Sequence, residues 1–371
     1  VAEMQTLKAD GAPTGALIAV DNPATGGVVG HVSDATAREV AEAIAGARRA
    51  QPGWAALDAR SRAEFFTRGR RWLLSHREEI ADLIVEENGK AREDAIVEIV
   101  YCTGAFAHWA KQARRLLAET KIHSWSPFVL GRSMYTRRVP LGVVAVIGPW
   151  NNPLLNSFGD AIPALAAGNA VVLKPSEHTP LTALLMERMA RECGWPEDVF
   201  QVVTGAGATG RALVDTADFI MFTGSTRTGR LVAARAGERL IPCSLELGGK
   251  DALIVLADAS LERAVNVTLQ GALSNGGQMC TSVERVYVEE PVYDAYVDLL
   301  RERFQQVTSG KPAGLGSVDV GAMTFPPQLA TVADHVDDAV QKVRASSWEA
   351  MQGPDPAASS PPPCSSTSTT P

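Results

Sequence analysis

Cysteine is scarce in this chain, with five residues among 371. Cys102, Cys193, Cys243, Cys280 and Cys364 are odd in number, widely spaced and form no CxxC pair, which argues against a disulfide framework and fits a reducing compartment. Basic charge is not in excess. With 35 Lys and Arg against 42 Asp and Glu, the net charge is -7, so no global positive field attracts phosphate backbones and nucleic acid is not expected as the main partner. Long apolar runs are missing: none reaches the roughly 18 residues of a membrane span. The opening VAEMQTLKADGAPTG has no basic segment followed by an apolar run, so no secretory leader is expected and the cytoplasm is the default location. What is present, 46% hydrophobic and 21% charged residues, suffices for a sizeable core, and at about 150 residues per domain the length suggests two to three domains.

The stretch from Asp34 to Ala95 has helical periodicity. Ser33 or Asp34 is the expected N-cap of its first helix, with Val40, Ala43, Ile44 and Ala47 on one stripe. Two more amphipathic helices follow, in which Trp72 and His76 read as packing, and a further helical stretch holds Tyr101 to Leu117. SPFVLGRSMYTRRVP reads as a hairpin-like arm punctuated by Gly131 and Pro140. From Val143 the texture changes. VVAVIG, AVVLK, FQVV, FIMF and LIPCSLE alternate with helical segments, which predicts βαβ units and a parallel sheet, with ligands at the carboxyl ends of the strands. Those ends carry GPWNN, KPSEH, TGAGATG, TGSTRTG and LGGK. DALIVLADA, a helical run and GGQMCTSVERVYVEE continue the pattern to about Lys342. The last fifteen residues, AASSPPPCSSTSTTP, hold eight Ser or Thr and four Pro, a composition that cannot pack a core.

Among the cysteines, Cys280 is the candidate nucleophile, placed after glycines in a loop between a helical run and a strand. A buried, inert cysteine is the competing reading, and it is the one adopted for Cys102, Cys193 and Cys243. Glu246 ends an apolar strand before LGGK, where a partly desolvated carboxylate could act as general base on water; a strand-end glutamate bonded to loop amides stands against it. Asn151 is an amide donor at the tip of the first strand, suited to a developing oxyanion or simply a turn residue before Pro153. No histidine stands in a convincing partner position for Cys280, and His178 reads as a loop residue. The glycine clusters GAGATG and TGSTRTG each end a strand and open a helix, offering amide donors and a helix dipole to pyrophosphate. No metal site is expected.

GPWNNPL, LKPSEHTPLTA, MFTGSTRTG, LELGGK and NGGQMC, in this order, resemble the signatures of the NAD(P)-dependent aldehyde dehydrogenase superfamily over about residues 20 to 343. The glutamate and cysteine motifs stand 34 residues apart, which matches the family's separation, and the similarity is nearest to semialdehyde-oxidising and broad-specificity bacterial members. The resemblance implies an α/β fold with a parallel Rossmann-type cofactor sheet, a second α/β catalytic domain that is incomplete, and a β-hairpin arm. It implies boundaries of 1–123 for the helical part of the cofactor domain, 124–141 for a bridging hairpin, 142–245 for the NAD(P)-binding part, 246–343 for the catalytic domain and 344–371 for a disordered tail. It also implies that Cys280 attacks an aldehyde, Asn151 holds the oxyanion and Glu246 activates water. Trp150, Lys174, Glu177, Gly207, Gly224, Ser225 and Gly248 would then bind the cofactor, NAD with NADP admitted, since Glu177 would repel a 2′-phosphate. A homodimer or homotetramer is expected.

The chain departs from the family pattern after Lys342, where VRASSWEAMQG replaces a GA-x-V-x-x-GG strand, and no E-x-F-G-P motif follows. The expectation is a C-terminally truncated member whose tail is an out-of-frame reading, with apolar surface left exposed and poor solubility. The alternatives are an inactive nucleotide-binding remnant and a CoA-acylating aldehyde dehydrogenase. Glu246 argues against the second, because CoA needs no carboxylate to activate water.

Overall fold

The computed structural model describes residues 16–123, 126–129 and 131–342. The expected tail at 344–371 and the opening segment lie outside the described residues, as does Cys364. The chain forms two compact units. One takes in the described residues up to Ile18 with Val32–Ile80 and Glu98–Glu246; the other takes in Ala19–His31, Ala81–Val97 and the described residues from Leu247 onward.

Strands β1 (Leu17–Asp21) and β2 (Val28–Ser33) pair in a two-stranded sheet. Four helices follow: α1 (Ala37–Ala56), α2 (Ala59–Ser75), α3 (Arg77–Asn88) and α4 (Arg92–Leu116). The N-cap of α1 is Thr36, not Ser33 or Asp34. Its hydroxyl accepts from Glu39 N while Glu39 answers at Thr36 N, a capping box. Ser33 is still in β2, and Asp34 accepts instead from Ala206 N and the Thr209 hydroxyl. Val40, Ile44 and Ala47 are buried as the stripe predicts.

Strands β3 (Thr120–Ile122) and β4 (Met134–Thr136) pair antiparallel, so the arm's first strand lies upstream of the segment that suggested it. Strands β5 (Val143–Ile147), β6 (Ala170–Lys174), β7 (Phe200–Val202), β8 (Phe219–Thr223) and β9 (Cys243–Glu246) form a five-stranded sheet in the order β7-β6-β5-β8-β9. Every pairing is parallel. VVAVI and AVVLK are buried along their whole length, as central parallel strands covered on both faces should be. Helices α5 (Gly159–Ala166), α6 (Leu181–Glu192), α7 (Gly207–Thr216) and α8 (Thr226–Glu238) supply the connections. An aromatic cluster of Trp54, Phe66, Phe106, Phe158, Trp195 and Phe200 packs in this unit. Trp54 anchors it by donating its indole N–H to Leu165 O at 2.9 Å, and buried Arg62 donates to Ala166 O and Leu57 O.

In the other unit β10 (Asp251–Val255) and β11 (Val283–Val288) pair in parallel through α9 (Leu261–Leu273), followed by α10 (Tyr293–Phe304) and α11 (Pro326–Lys342). Val255, Val265 and Tyr296 form its core, and the Tyr296 and Thr268 hydroxyls lie 2.7 Å apart. Gly89 O accepts from Ala322 N at 2.9 Å and Asn88 O from the Thr324 hydroxyl at 2.6 Å, which ties the early segment of this unit to its late one.

Candidate functional site

The carboxyl ends of β5, β6, β8 and β9 are Ile147, Lys174, Thr223 and Glu246, which lie at one edge of the sheet. Beyond β5 the chain turns through Gly148, where a Cβ would lie 1.9 Å from the Ser157 hydroxyl, so only glycine lets the loop pass the π-helical turn Leu154–Phe158. That turn is fixed by Glu98, whose carboxylate accepts from Leu154 N and Leu155 N at 2.9 Å each. Trp150 and Asn151 follow in the same loop. Trp150 O accepts from the Thr179 hydroxyl at 3.3 Å, and Asn151 Oδ1 accepts from Asn152 N at 3.0 Å.

Lys174 is buried, with Nζ donating to Pro175 O at 2.7 Å and Gly205 O at 2.6 Å and lying 3.7 Å from half-exposed Glu177. Burial lowers the ammonium's pKa, and Glu177 offsets part of that shift. The His178 imidazole is lowered as well, again by burial. Two helix N-termini open at this edge. Gly207 is the first residue of α7, and nothing stands within 4 Å of the place its Cβ would take. Ser225 is the N-cap of α8, its hydroxyl accepting from Thr228 N at 3.2 Å, and Gly224 N donates to Glu246 O at 3.0 Å. A cationic ammonium, a carboxylate and two helix N-termini, one with open space over its first residue, are the parts a dinucleotide needs for ribose and pyrophosphate. The residues fit the group.

Glu246 is exposed, which corrects the expectation of a partly desolvated carboxylate there. The desolvated carboxylate of this edge is Asp160, in the first turn of α5, which the sequence reading did not single out. Burial, and secondarily the charge of Glu246, raises its pKa to about 7 against the pull of a hydrogen bond from the Thr223 hydroxyl at 3.2 Å. A lone Asp in the apolar run FGDAIPALAAG was the available signal.

Cys280 and Gly248 belong to the other unit. Cys280 is exposed in the loop between α9 and β11. Asn275, Gly276 and Gly277 ahead of it all have positive φ, of 54°, 63° and 73°. Hydrogen bonds hold the loop: Gln278 Nε2 donates to Asn275 O at 3.0 Å, Gln278 Oε1 accepts from Thr324 N at 2.9 Å and the Ser282 hydroxyl donates to Gly277 O at 3.0 Å. Cys102 and Cys193 are buried and their thiol pKa values are raised by burial, as unreactive packing residues should be, while Cys243 is half-buried.

The sequence matches the aldehyde dehydrogenase family over residues 11–355. A protein of Mycolicibacterium smegmatis provisionally named succinate-semialdehyde dehydrogenase, NADP(+), is 41% identical over 83% of this chain and 59% of its own length. The betaine aldehyde dehydrogenase of Vibrio vulnificus is 35% identical over 88% of the chain and 66% of the relative. Among solved structures, an aldehyde dehydrogenase of Brucella melitensis biovar abortus superposes with a TM-score of 0.85 at 34% identity, covering 89% of this chain and 68% of that one. The chain thus spans less than two thirds of the length of these two sequence relatives.

Proposed function

This chain belongs to the aldehyde dehydrogenase family, and from that premise we propose that it takes part in NAD(P)+-dependent oxidation of an aldehyde to its carboxylic acid. What carries this reading is the strand edge bearing Asn151, Lys174, Glu177, Ser225 and Glu246, together with an exposed Cys280 on a hydrogen-bonded loop. Lys174 and Glu177 would hold the adenosine ribose, and the N-termini of α7 and α8, at Gly207, Gly224 and Ser225, the pyrophosphate, beside Trp150; Gly248 is proposed as a further cofactor-binding residue. Glu177 favours NAD, whereas the name of the Mycolicibacterium relative specifies NADP(+).

The Cys280 thiolate adds to the aldehyde carbon, forming a C–S bond and an oxyanion that the Asn151 amide and the Cys280 backbone N–H stabilise. When bound, the dinucleotide would supply the hydride acceptor that oxidation to the acid level requires. Glu246 then takes a proton from water as the hydroxide adds to the thioester carbonyl, and the C–S bond breaks to return the thiolate and release the acid.

Succinate semialdehyde and betaine aldehyde are the substrates to try first, with NAD+ and NADP+ followed by absorbance at the reduced nicotinamide band. Cys280→Ala is expected to abolish reduction, and Glu246→Gln to leave a single burst of one equivalent with slow turnover after it. Steady turnover by the alanine variant, or an acyl-CoA product on adding CoA, would overturn this reading. We also infer that a homodimer or homotetramer forms through the β3–β4 hairpin, which exposes Ile122 and Tyr135. Light scattering showing that Tyr135→Asp leaves the mass unchanged would reject the hairpin as interface. Free Cys102, Cys193, Cys243 and Cys280 support a cytoplasmic location, and no helix among the described residues is long and apolar enough to cross a membrane.

A further inference from the structure

Asp34 precedes α1, but its side chain bonds the residues that open α7. Its Oδ1 accepts from Ala206 N at 3.0 Å, while the buried Lys174 ammonium donates to Gly205 O at 2.6 Å. Gly205 O and Ala206 N are the two ends of one peptide group. That peptide is held at its oxygen by a cation and at its N–H by a carboxylate, and it leads directly into Gly207, the first residue of α7. We propose that Asp34 is a positioning residue for dinucleotide binding: paired with Lys174 across the Gly205–Ala206 peptide, it fixes the turn that opens α7 before any ligand arrives. The inference rests on the reading of this strand edge as the dinucleotide site.

The junction is bonded from both segments. Ala35 N donates to Thr204 O at 2.9 Å and the Thr204 hydroxyl to Ser33 O at 2.7 Å, so residues 33–35 lie against residues 204–206. The Thr209 hydroxyl is 2.8 Å from Ala35 O and 3.2 Å from Asp34 Oδ1, with one proton to give to either. Only glycine fits at position 205. Its φ is +149°, and a Cβ there would lie 2.2 Å from the Thr209 hydroxyl and 2.7 Å from Asp34 Oδ1. The backbone of the turn therefore admits Asp34 at a distance that any other residue would deny it.

Opposite charges at the two ends of a peptide group reinforce its dipole and oppose rotation of its plane. Among the described residues no side chain caps the first turn of α7, whose N-cap is Ala206. Asp34 bonds the N–H of that cap residue itself, so the amides from Gly207 onward face a ligand with their direction already set. Of the three Lys174 ammonium protons, Pro175 O and Gly205 O take two, which leaves one, beside Glu177 at 3.7 Å, for a ribose hydroxyl. Without Asp34 the peptide is free to turn, and both the α7 amides and the Lys174 proton lose their aim. A site ordered in advance binds more tightly because less ordering is left for the ligand to impose.

The test uses the whole chain and ADP-ribose, which carries the adenosine ribose and the pyrophosphate without the nicotinamide, titrated by calorimetry. Asp34→Ala is expected to weaken binding about tenfold, the size of one lost charge-assisted hydrogen bond. Asp34→Asn keeps an acceptor for Ala206 N and should weaken it about threefold or less. Hydrogen exchange over residues 203–210, read by mass spectrometry without ligand, should quicken about tenfold in Asp34→Ala and stay near the wild-type rate in Asp34→Asn. An aspartate that only stabilises the fold would lower the urea midpoint of Asp34→Ala and leave the affinity of the folded chain alone. Unchanged ADP-ribose affinity in Asp34→Ala therefore overturns the proposal, and so does unchanged exchange over the turn. A wild-type chain that binds no ADP-ribose would instead overturn the dinucleotide reading itself, and the role of Asp34 with it.

Discussion

A carboxyl group that keeps its proton to about pH 7 in the folded chain, against 3.8 as the ordinary aspartate value, makes stability pH-dependent. Between about pH 4 and pH 7 the folded state binds more protons at Asp160 than the unfolded state does. Unfolding free energy therefore declines as pH rises through that window and levels off above it, the reverse of a salt-bridged aspartate. Asp160→Asn should flatten this slope and leave the protein at least as stable at pH 8, as measured by urea midpoints across pH. The positions of Glu246 and Cys280, at a strand end and in a glycine-flanked loop, could be read from local context. The desolvated carboxylate could not. Its burial depends on α4 packing beside the first turn of α5, where a Cβ on Gly159 would come within 3.1 Å of Tyr101, and no local periodicity reports a contact across nearly sixty residues of sequence.

Among the elements, the five parallel strands were legible because fully buried strands read as β-branched runs punctuated by glycine-rich turns. The start of α1 was not. Ser33 and Asp34 have cap-forming side chains, but the backbone of Ser33 continues β2 and the Asp34 carboxylate is taken by Ala206 and Thr209, so the role falls to Thr36. Which of three adjacent cap-formers wins is decided by contacts with residues about 170 positions away. Thr36→Ala should cost about 1 kcal/mol in a denaturant melt. Substituting Ser33 should cost no helix cap at all. The arm was legible as a hairpin but misplaced, because the pairing runs from Thr120–Ile122 to Met134–Thr136 rather than lying within one short segment.

At the scale of the whole molecule, each unit is assembled from segments that are discontinuous in sequence, whereas the resemblance implied contiguous divisions at 1–123, 124–141, 142–245 and 246–343. The helix α1 packs against β6 and α7 and carries Trp54, whose indole closes on Leu165 O. A fragment of residues 98–246 keeps every strand of the five-stranded sheet and loses α1 and α2. It is expected to melt without cooperativity by circular dichroism, whereas the full chain should show a cooperative transition for the same sheet. Recovery of a cooperative melt by the fragment would show that the sheet stands without α1.

The bonds from Gly89 and Asn88 to Ala322 and Thr324 also set an order in time. Residues 81–97 leave the ribosome well before their partners from 247 onward, and at about 5–20 residues per second some 150 intervening residues take roughly 8 to 30 seconds to synthesise. By the end of that interval the first unit has its full complement of strands, while the ends of α3 and α4 that belong to the second still wait with apolar side chains such as Leu83 and Ile84 uncovered. Nascent-chain occupancy by a holding chaperone should accordingly peak over this stretch of translation and fall once Thr324 has emerged.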